Sequence, residues 1–172
     1  MFERMIRAAK LDASLYEEVE ADASALGQAI LVVVLSSLAG GLGSISVNGI
    51  GGIISGIFVA LIGWLIWAII VFLIGTKVLP QPQTSADLGQ LLRTLGFSAS
   101  PGIIRIVGII PFLYGLVNLV ATIWMFVAMV IAVKQALDYD NYLRAVGVCL
   151  VGFLVYIIFA AIFGGSLYFL SS

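Results

Sequence analysis

The chain has no histidine and a single cysteine, Cys149. A disulfide framework, a Cys/His zinc site and any catalytic constellation built on imidazole are therefore excluded. Charge is equally scarce. Only 10% of the 172 residues are Asp, Glu, Lys or Arg, against about 25% in an average soluble domain. The formal net charge is −1, so no basic excess exists to neutralise phosphates, and nucleic-acid binding is excluded. What is there instead is apolar: 62% hydrophobic residues and a mean hydropathy of +1.20. A single small domain buries too little of its surface to hide that much apolar area from water. The composition specifies an integral membrane protein.

The few charges are unevenly placed. Nine lie in the first 22 residues, and none falls between Ala23 and Thr76. A helix needs about 20 apolar residues to cross the hydrocarbon core, so the uncharged run holds two crossings. They are expected at about 24–42 and 50–79, joined by a turn in the glycine-rich stretch Gly40–Gly49. Pro80 and Pro82 end the second span. Thr84 or Ser85 is expected to cap the next helix, with Asp87 near its positive end. There Leu88, Leu91, Leu92 and Leu95 repeat at helical spacing, opposite Gln90, Arg93 and Thr94. The third span is read as 88–110, broken near Pro101. The fourth and fifth are read as about 112–133 and 145–170, separated by the polar loop Lys134–Arg144. The expectation is an all-α integral membrane bundle of five transmembrane helices, with residues 1–22 forming an N-terminal cytoplasmic, interfacial helix. With the N-terminus inside, Arg4, Arg7, Lys10, Lys77, Arg93, Lys134 and Arg144 all face the cytoplasm and the outer loops are uncharged, as the positive-inside rule requires. The C-terminus then lies outside.

The functional candidates are contact residues; no catalytic, cofactor or metal group is expected. Arg105 is the one charge embedded in an apolar span, and an intramembrane ionisable residue is a functional candidate by default. No carboxylate lies at depth to pair with it. Its stem is long enough to reach the outer interface and meet lipid phosphate or the carboxylate of Ser172; a substrate role and a subunit contact are the alternatives. On the cytoplasmic side stand the acidic approach Glu17, Glu18 and Glu20, the Arg93 helix, and the loop containing Lys134, Asp138 and Arg144. Lys134/Asp138 and Asp140/Arg144 are spaced for i,i+4 pairing. Gly52, Gly56, Ala60 and Gly63, and later Ala160/Ala161 and Gly164/Gly165, form small-residue ladders suited to close helix packing. Gln28, Ser36, Ser37, Ser55, Ser98, Ser100, Asn118 and Thr122 are uncharged polar groups within spans, of the kind that lines a transport path or bonds its own helix carbonyls.

The stretches Arg93-Thr94-Leu95-Gly96-Phe97, Pro101-Gly102, Ile110-Pro111, Trp124, Ala132–Asp138 and Arg144-Ala145 resemble the bacterial branch of the Yip-domain (Ypt-interacting-protein-like) family. So do Arg7–Asp12 and Tyr16-Glu17-Glu18. The resemblance implies a small five-span protein of the plasma (cell inner) membrane with a cytoplasmic N-terminus and no catalytic residues. Eukaryotic members of that family act in vesicle traffic and bind prenylated Rab-type GTPases. The Asp-Leu-Tyr-Gly-Pro signature that precedes their first span is absent here, so GTPase binding does not carry over. The expected role is a membrane scaffold or accessory subunit, in contact with the bilayer and with other subunits or a second copy; a small permease or channel is the alternative.

Overall fold

The computed structural model describes the backbone of residues 1–50 and 53–170, and the side chains of these to residue 158 apart from 46 and 48. Among the described residues every regular element is helical. In chain order they are α1 (Phe2–Ala9), α2 (Ala13–Ala21), α3 (Leu26–Gly43), the short α4 (Ile45–Asn48), α5 (Ile53–Leu73), α6 (Leu88–Phe97), α7 (Tyr114–Ala136) and α8 (Tyr142–Leu170). Three helical stretches are long and apolar enough to cross a membrane: Ala23–Gly43, Ile53–Val78 and Pro111–Ala136. The ladder of Ala160/Ala161 and Gly164/Gly165 and the carboxylate of Ser172 lie outside the described residues, as does Gly52.

Residues 1–22 are two helices rather than one. Asp12 is the reason. Its carboxylate accepts the backbone N–H of Ser14 at 3.0 Å and caps α2, which interrupts any helix running through it. α1 ends in a Schellman turn, with Leu11 in the left-handed region at φ 63° and the N–H of Asp12 donating to Arg7 O at 3.1 Å. The resulting hairpin is clamped by Arg7 to Asp12 (2.8 Å) and Glu18 (2.6 Å), and by Arg4 to Glu18 (2.8 Å) and Asp22 (2.9 Å). Nor does it lie apart from the bundle. Met5, Ala8, Leu15, Tyr16 and Val19 are buried in the same core as Leu91, Phe97, Val133 and Leu137. The Trp124 indole donates to Ala9 O at 2.7 Å, tying the end of α1 to α7. Phe2 and Ile6 remain exposed on the outer side of α1.

The stretch 88–110 is not one kinked α-helix. Asp87, rather than Thr84 or Ser85, caps α6 through a reciprocal box: Asp87 Oδ1 accepts Gln90 N at 2.8 Å, and Gln90 Oε1 accepts Asp87 N at 2.6 Å. α6 then stops at Phe97, and residues Ser100–Ile109 continue as a 3-10 helix. Pro101 has no N–H to give the Phe97 carbonyl; the Ser100 hydroxyl donates to that carbonyl instead, at 2.7 Å. At three residues per turn, Gly102, Arg105 and Gly108 fall on one face. That face lies along α3. Gly96 sits against Ala29, Gly102 against Ser36, and Gly108 against Gly43, so the segment runs parallel to α3. α7 returns antiparallel, with Met125 at Gly102, Thr122 at Arg105 and Tyr114 at Gly108.

The bundle has two unlike halves. Around α6 the packing is dense: Ala29, Val71, Leu95, Phe97, Val133 and Val148 all belong to one buried core. On the outer faces of α5 and α7 apolar side chains point outward. On α5 they form the stripe Ile54, Phe58, Ile62, Leu65, Ile69 and Leu73. On α7 they are Leu116, Leu119, Val120, Ile123 and Val127. Water would not tolerate a patch of this extent; it is the face that lipid covers. α5 ends in a single π-turn over Ile74–Val78. The Tyr139 hydroxyl reaches its carbonyls, at 2.7 Å from Leu79 O and 3.1 Å from Gly75 O. The Lys134–Arg144 loop is shorter than expected, because α7 runs on to Ala136 and α8 begins at Tyr142. Similarly α3 continues to Gly43, which shortens the first turn.

Candidate functional sites

At the charged end, four of the sequence candidates converge. Glu17 and Glu20 from α2, with Lys134 from α7 and Asp138 just beyond it, line a pocket of about 280 Å³ together with Gln135 and Tyr139. Asp138 closes α7 at φ 52°, with Tyr139 N–H donating to Lys134 O at 2.9 Å. Asp is one of the few residues that tolerates that left-handed position. Gln135 Nε2 donates to Glu17 Oε1 at 2.7 Å, and Gln90 Nε2 to Glu20 Oε1 at 3.1 Å. Glu20 is partly buried among other acids. Burial first, then the charge of Asp138, raise its pKa from the usual carboxylate range to about 7, with Glu17 and Asp87 adding and Arg93 opposing.

The remaining candidates separate from this pocket. Glu18 turns to Arg4 and Arg7 and serves the hairpin. The hydrogen bonds of those two arginines hold its carboxyl below the usual range. Arg144 is exposed on α8. Neither expected i,i+4 pair forms an ion pair. Lys134 instead sits over the Tyr142 ring, 5.2 Å from its centroid, with Nζ 3.3 Å from Gln135 Oε1, because Asp138 has already turned away from the helix axis. Arg93 is the clearest correction. The helical pattern set it on an outer polar face, but it is buried, donating through Nε to Val19 O at 2.9 Å and through Nη2 to Glu20 O. α2 packs over the side of α6 that sequence periodicity left to solvent, and Arg93 caps the C-terminal end of α2.

The second site lies in the apolar half. A cavity of about 930 Å³ opens between α3, α5, α7 and the 3-10 segment. Along α7 its wall reads Tyr114, Asn118, Thr122 and Phe126, four residues apart, with Met129 beyond. One end is therefore polar and the other aromatic. Arg105 belongs to the polar end. Its Cδ lies near Gly40 and its Nη2 donates to Thr122 Oγ1 at 3.1 Å. Ser36, Ser37 and Ser44 stand on the α3 side. The other end holds Trp64 and Trp67 from α5, and Phe153 from α8, whose ring lies tilted against Trp67 with centroids 4.7 Å apart. Gly56 and Gly63 are not helix-packing contacts as the ladder suggested: a Cβ on either would meet nothing within 4 Å, because they face this space. The ensemble is not legible in the sequence because its members come from six elements, α6 and α8 among them. The i,i+4 series Tyr114, Asn118, Thr122, Phe126 was the signal that pointed to it.

Comparison with known proteins decides the family. The Yip1 domain matches residues 13–162. The chain belongs to the Yip1-domain family. Searches among curated proteins and among solved structures give no match. As a Yip1-domain protein with an exposed apolar belt, it is a membrane protein whose outward side chains contact lipid.

Proposed function

We propose that this Yip1-domain protein is a non-enzymatic scaffold or accessory subunit of a complex in the plasma (cell inner) membrane, docking its partner through the charged end of the bundle. The observation that carries the reading is the convergence of Glu17, Glu20, Lys134 and Asp138 on one pocket from two stretches of chain more than a hundred residues apart. Electrostatic complementarity of such a face selects a partner and steers its approach. In this reading the chain crosses five times, with its N-terminus and the pocket in the cytoplasm and its C-terminus outside. The third crossing rests on residues 88–110. Ten residues of α-helix and ten of 3-10 helix extend about 35 Å, against a hydrocarbon core of about 30 Å, and they run beside α3. Arg144 and the lipid-facing helices are secondary contact surfaces in the same reading.

A permease or channel is the alternative, and the cavity beside Arg105 favours it. The packed core around Leu95, Phe97 and Val133 lies beneath that cavity and opposes a through path. A photo-crosslinking residue at Gln135 tests the docking reading, because it touches the pocket without belonging to the hairpin clamp. The expected result is a discrete crosslinked partner that is lost in the double reversal Glu17→Lys with Asp138→Lys. An unchanged set of crosslinks refutes docking at this face. Solute flux into liposomes holding only this protein supports the permease instead.

A further inference from the structure

We propose that the cavity beside Arg105 is a binding site for one anionic, phosphate-bearing lipid, its headgroup at the polar end and an acyl chain laid toward Trp64 and Trp67. Three observations combine. First, among the described residues the Arg105 guanidinium makes one hydrogen bond, from Nη2 to Thr122 Oγ1, and Arg105 lines this cavity, so its remaining Nη donors are left for an acceptor-bearing headgroup. Second, among the described residues Arg105 is a cation with no carboxylate partner, at a depth where an uncompensated charge is costly. Its guanidinium is fixed by Thr122 and by the close approach of its own backbone to Gly43, so the binding group is preorganised. A phosphate diester provides both the compensating charge and acceptors in a matching geometry.

The third observation is the gradient of lining. From Tyr114 to Met129 the α7 wall passes from hydroxyl and amide groups to aromatic and thioether groups. A free anion has no use for the apolar end, and an apolar solute has none for Arg105. The volume, about 930 Å³, is at the upper end of the range for organic ligand sites. Among the described residues the mouth lies between α5 and α7, where Gly56, Asn118 and Thr122 are exposed beside the lipid-facing stripe. A lipid therefore enters sideways from the bilayer. Its headgroup level matches the leaflet at the Gly43–Tyr114 end, which is the outer leaflet in the orientation proposed above; the site itself does not depend on that orientation.

The full chain, purified in non-ionic detergent and delipidated, is titrated with phosphatidylglycerol, phosphatidylcholine or inorganic phosphate and examined by native mass spectrometry. The expected result is one phosphatidylglycerol per chain, favoured about ten-fold or more over phosphatidylcholine, whose phosphate carries its own trimethylammonium counter-charge and so brings no net negative charge to Arg105. Arg105→Leu abolishes that preference. Gly63→Leu leaves Arg105 intact but fills the cavity, and lowers binding by about ten-fold or more; since its Cβ meets open space, it folds. Phosphatidylglycerol with brominated chains quenches tryptophan emission in the wild type and not in Gly63→Leu. Equal binding of phosphatidylcholine overturns the proposal, as does full retention of phosphatidylglycerol in Gly63→Leu. Complete displacement by inorganic phosphate overturns it in favour of a free-anion site. Should Arg105→Leu fail to fold, Arg105→Lys and Gly63→Leu carry the test.

Discussion

Replacing Arg93 by methionine separates a structural arginine from a contact arginine. The side chain keeps its apolar volume in α6 but loses both donors to the C-terminal end of α2, at Val19 O and Glu20 O. Hydrogen bonds from a charged donor contribute about 1.5–3 kcal/mol each, and a cation at a helix C-terminus adds about 0.3–1 kcal/mol. Relief of the buried guanidinium's desolvation offsets part of this. The net expected loss is about 2–4 kcal/mol. A chain of this length loses about 2–4 °C of melting temperature per kcal/mol, so Arg93→Met is expected to melt roughly 5–15 °C below the wild type in detergent. The loss is local in origin. Hydrogen exchange is expected to rise in α1 and α2, where the hairpin loses its anchor to α6, before it rises in α5 or α7. Arg93→Lys keeps the charge but not the planar fork, so it reaches one carbonyl and recovers about half the loss. An Arg93→Met variant with unchanged melting and unchanged hairpin exchange refutes the assignment of Arg93 as an internal clamp. It would return the residue to the surface.

Identical Gly→Ala substitutions are expected to differ in sign along the bundle. Gly43→Ala drives a Cβ into the Arg105 carbonyl and destabilises by about 1–3 kcal/mol, whereas Gly63→Ala meets open space and gains up to about 1 kcal/mol of helix propensity; denaturation of both in the same detergent reads the contrast. Glu20 gives the bundle a pH dependence. Its folded pKa, about 7, exceeds its unfolded value, so the folded state holds the extra proton and stability falls as pH rises from about 4.5 to 7, then levels. Because the group is only partly buried, the expected fall is about 1–2 kcal/mol after allowing for solvent screening; melting curves across that range check it, and Glu20→Gln is expected to remove the slope. Tyr139→Phe leaves the π-turn carbonyls at Gly75 and Leu79 without their donor in a buried site and is expected to cost about 1–3 kcal/mol; an unchanged melt refutes the role given to that hydroxyl.

Much of this architecture was legible one residue at a time. The charge gap from Ala23 to Thr76 marked the first two membrane helices. Asp12 with Ser14, and Asp87 with Gln90, carry the helix starts in their own side chains, although the first was passed over for one helix across 1–22 and the second was placed at Thr84 or Ser85. Such signals are local: a carboxylate caps the N–H two or three residues ahead whatever the rest of the chain does. The family, too, was visible in short motifs that survive as words.

The sequence by itself determined that the chain is apolar, helical and membrane-bound, because composition and spacing alone decide which segments water rejects. Only the tertiary structure decided which polar groups are inside. Arg93 sits on the polar side of α6 by periodicity, yet α2 covers that side and turns the arginine into a clamp. Lys134 and Asp138 are spaced to pair, yet the left-handed turn at Asp138 points them to a pocket shared with Glu17 and Glu20. Arg105 read as a lone charge in an apolar run; Trp64, Trp67, Ser36 and Thr122, which line the same cavity, lie 17 to 69 residues away in the chain. A cavity has no local signature, since its walls are contributed by elements whose relative placement is set by packing, and packing is the one term that no single stretch of sequence contains.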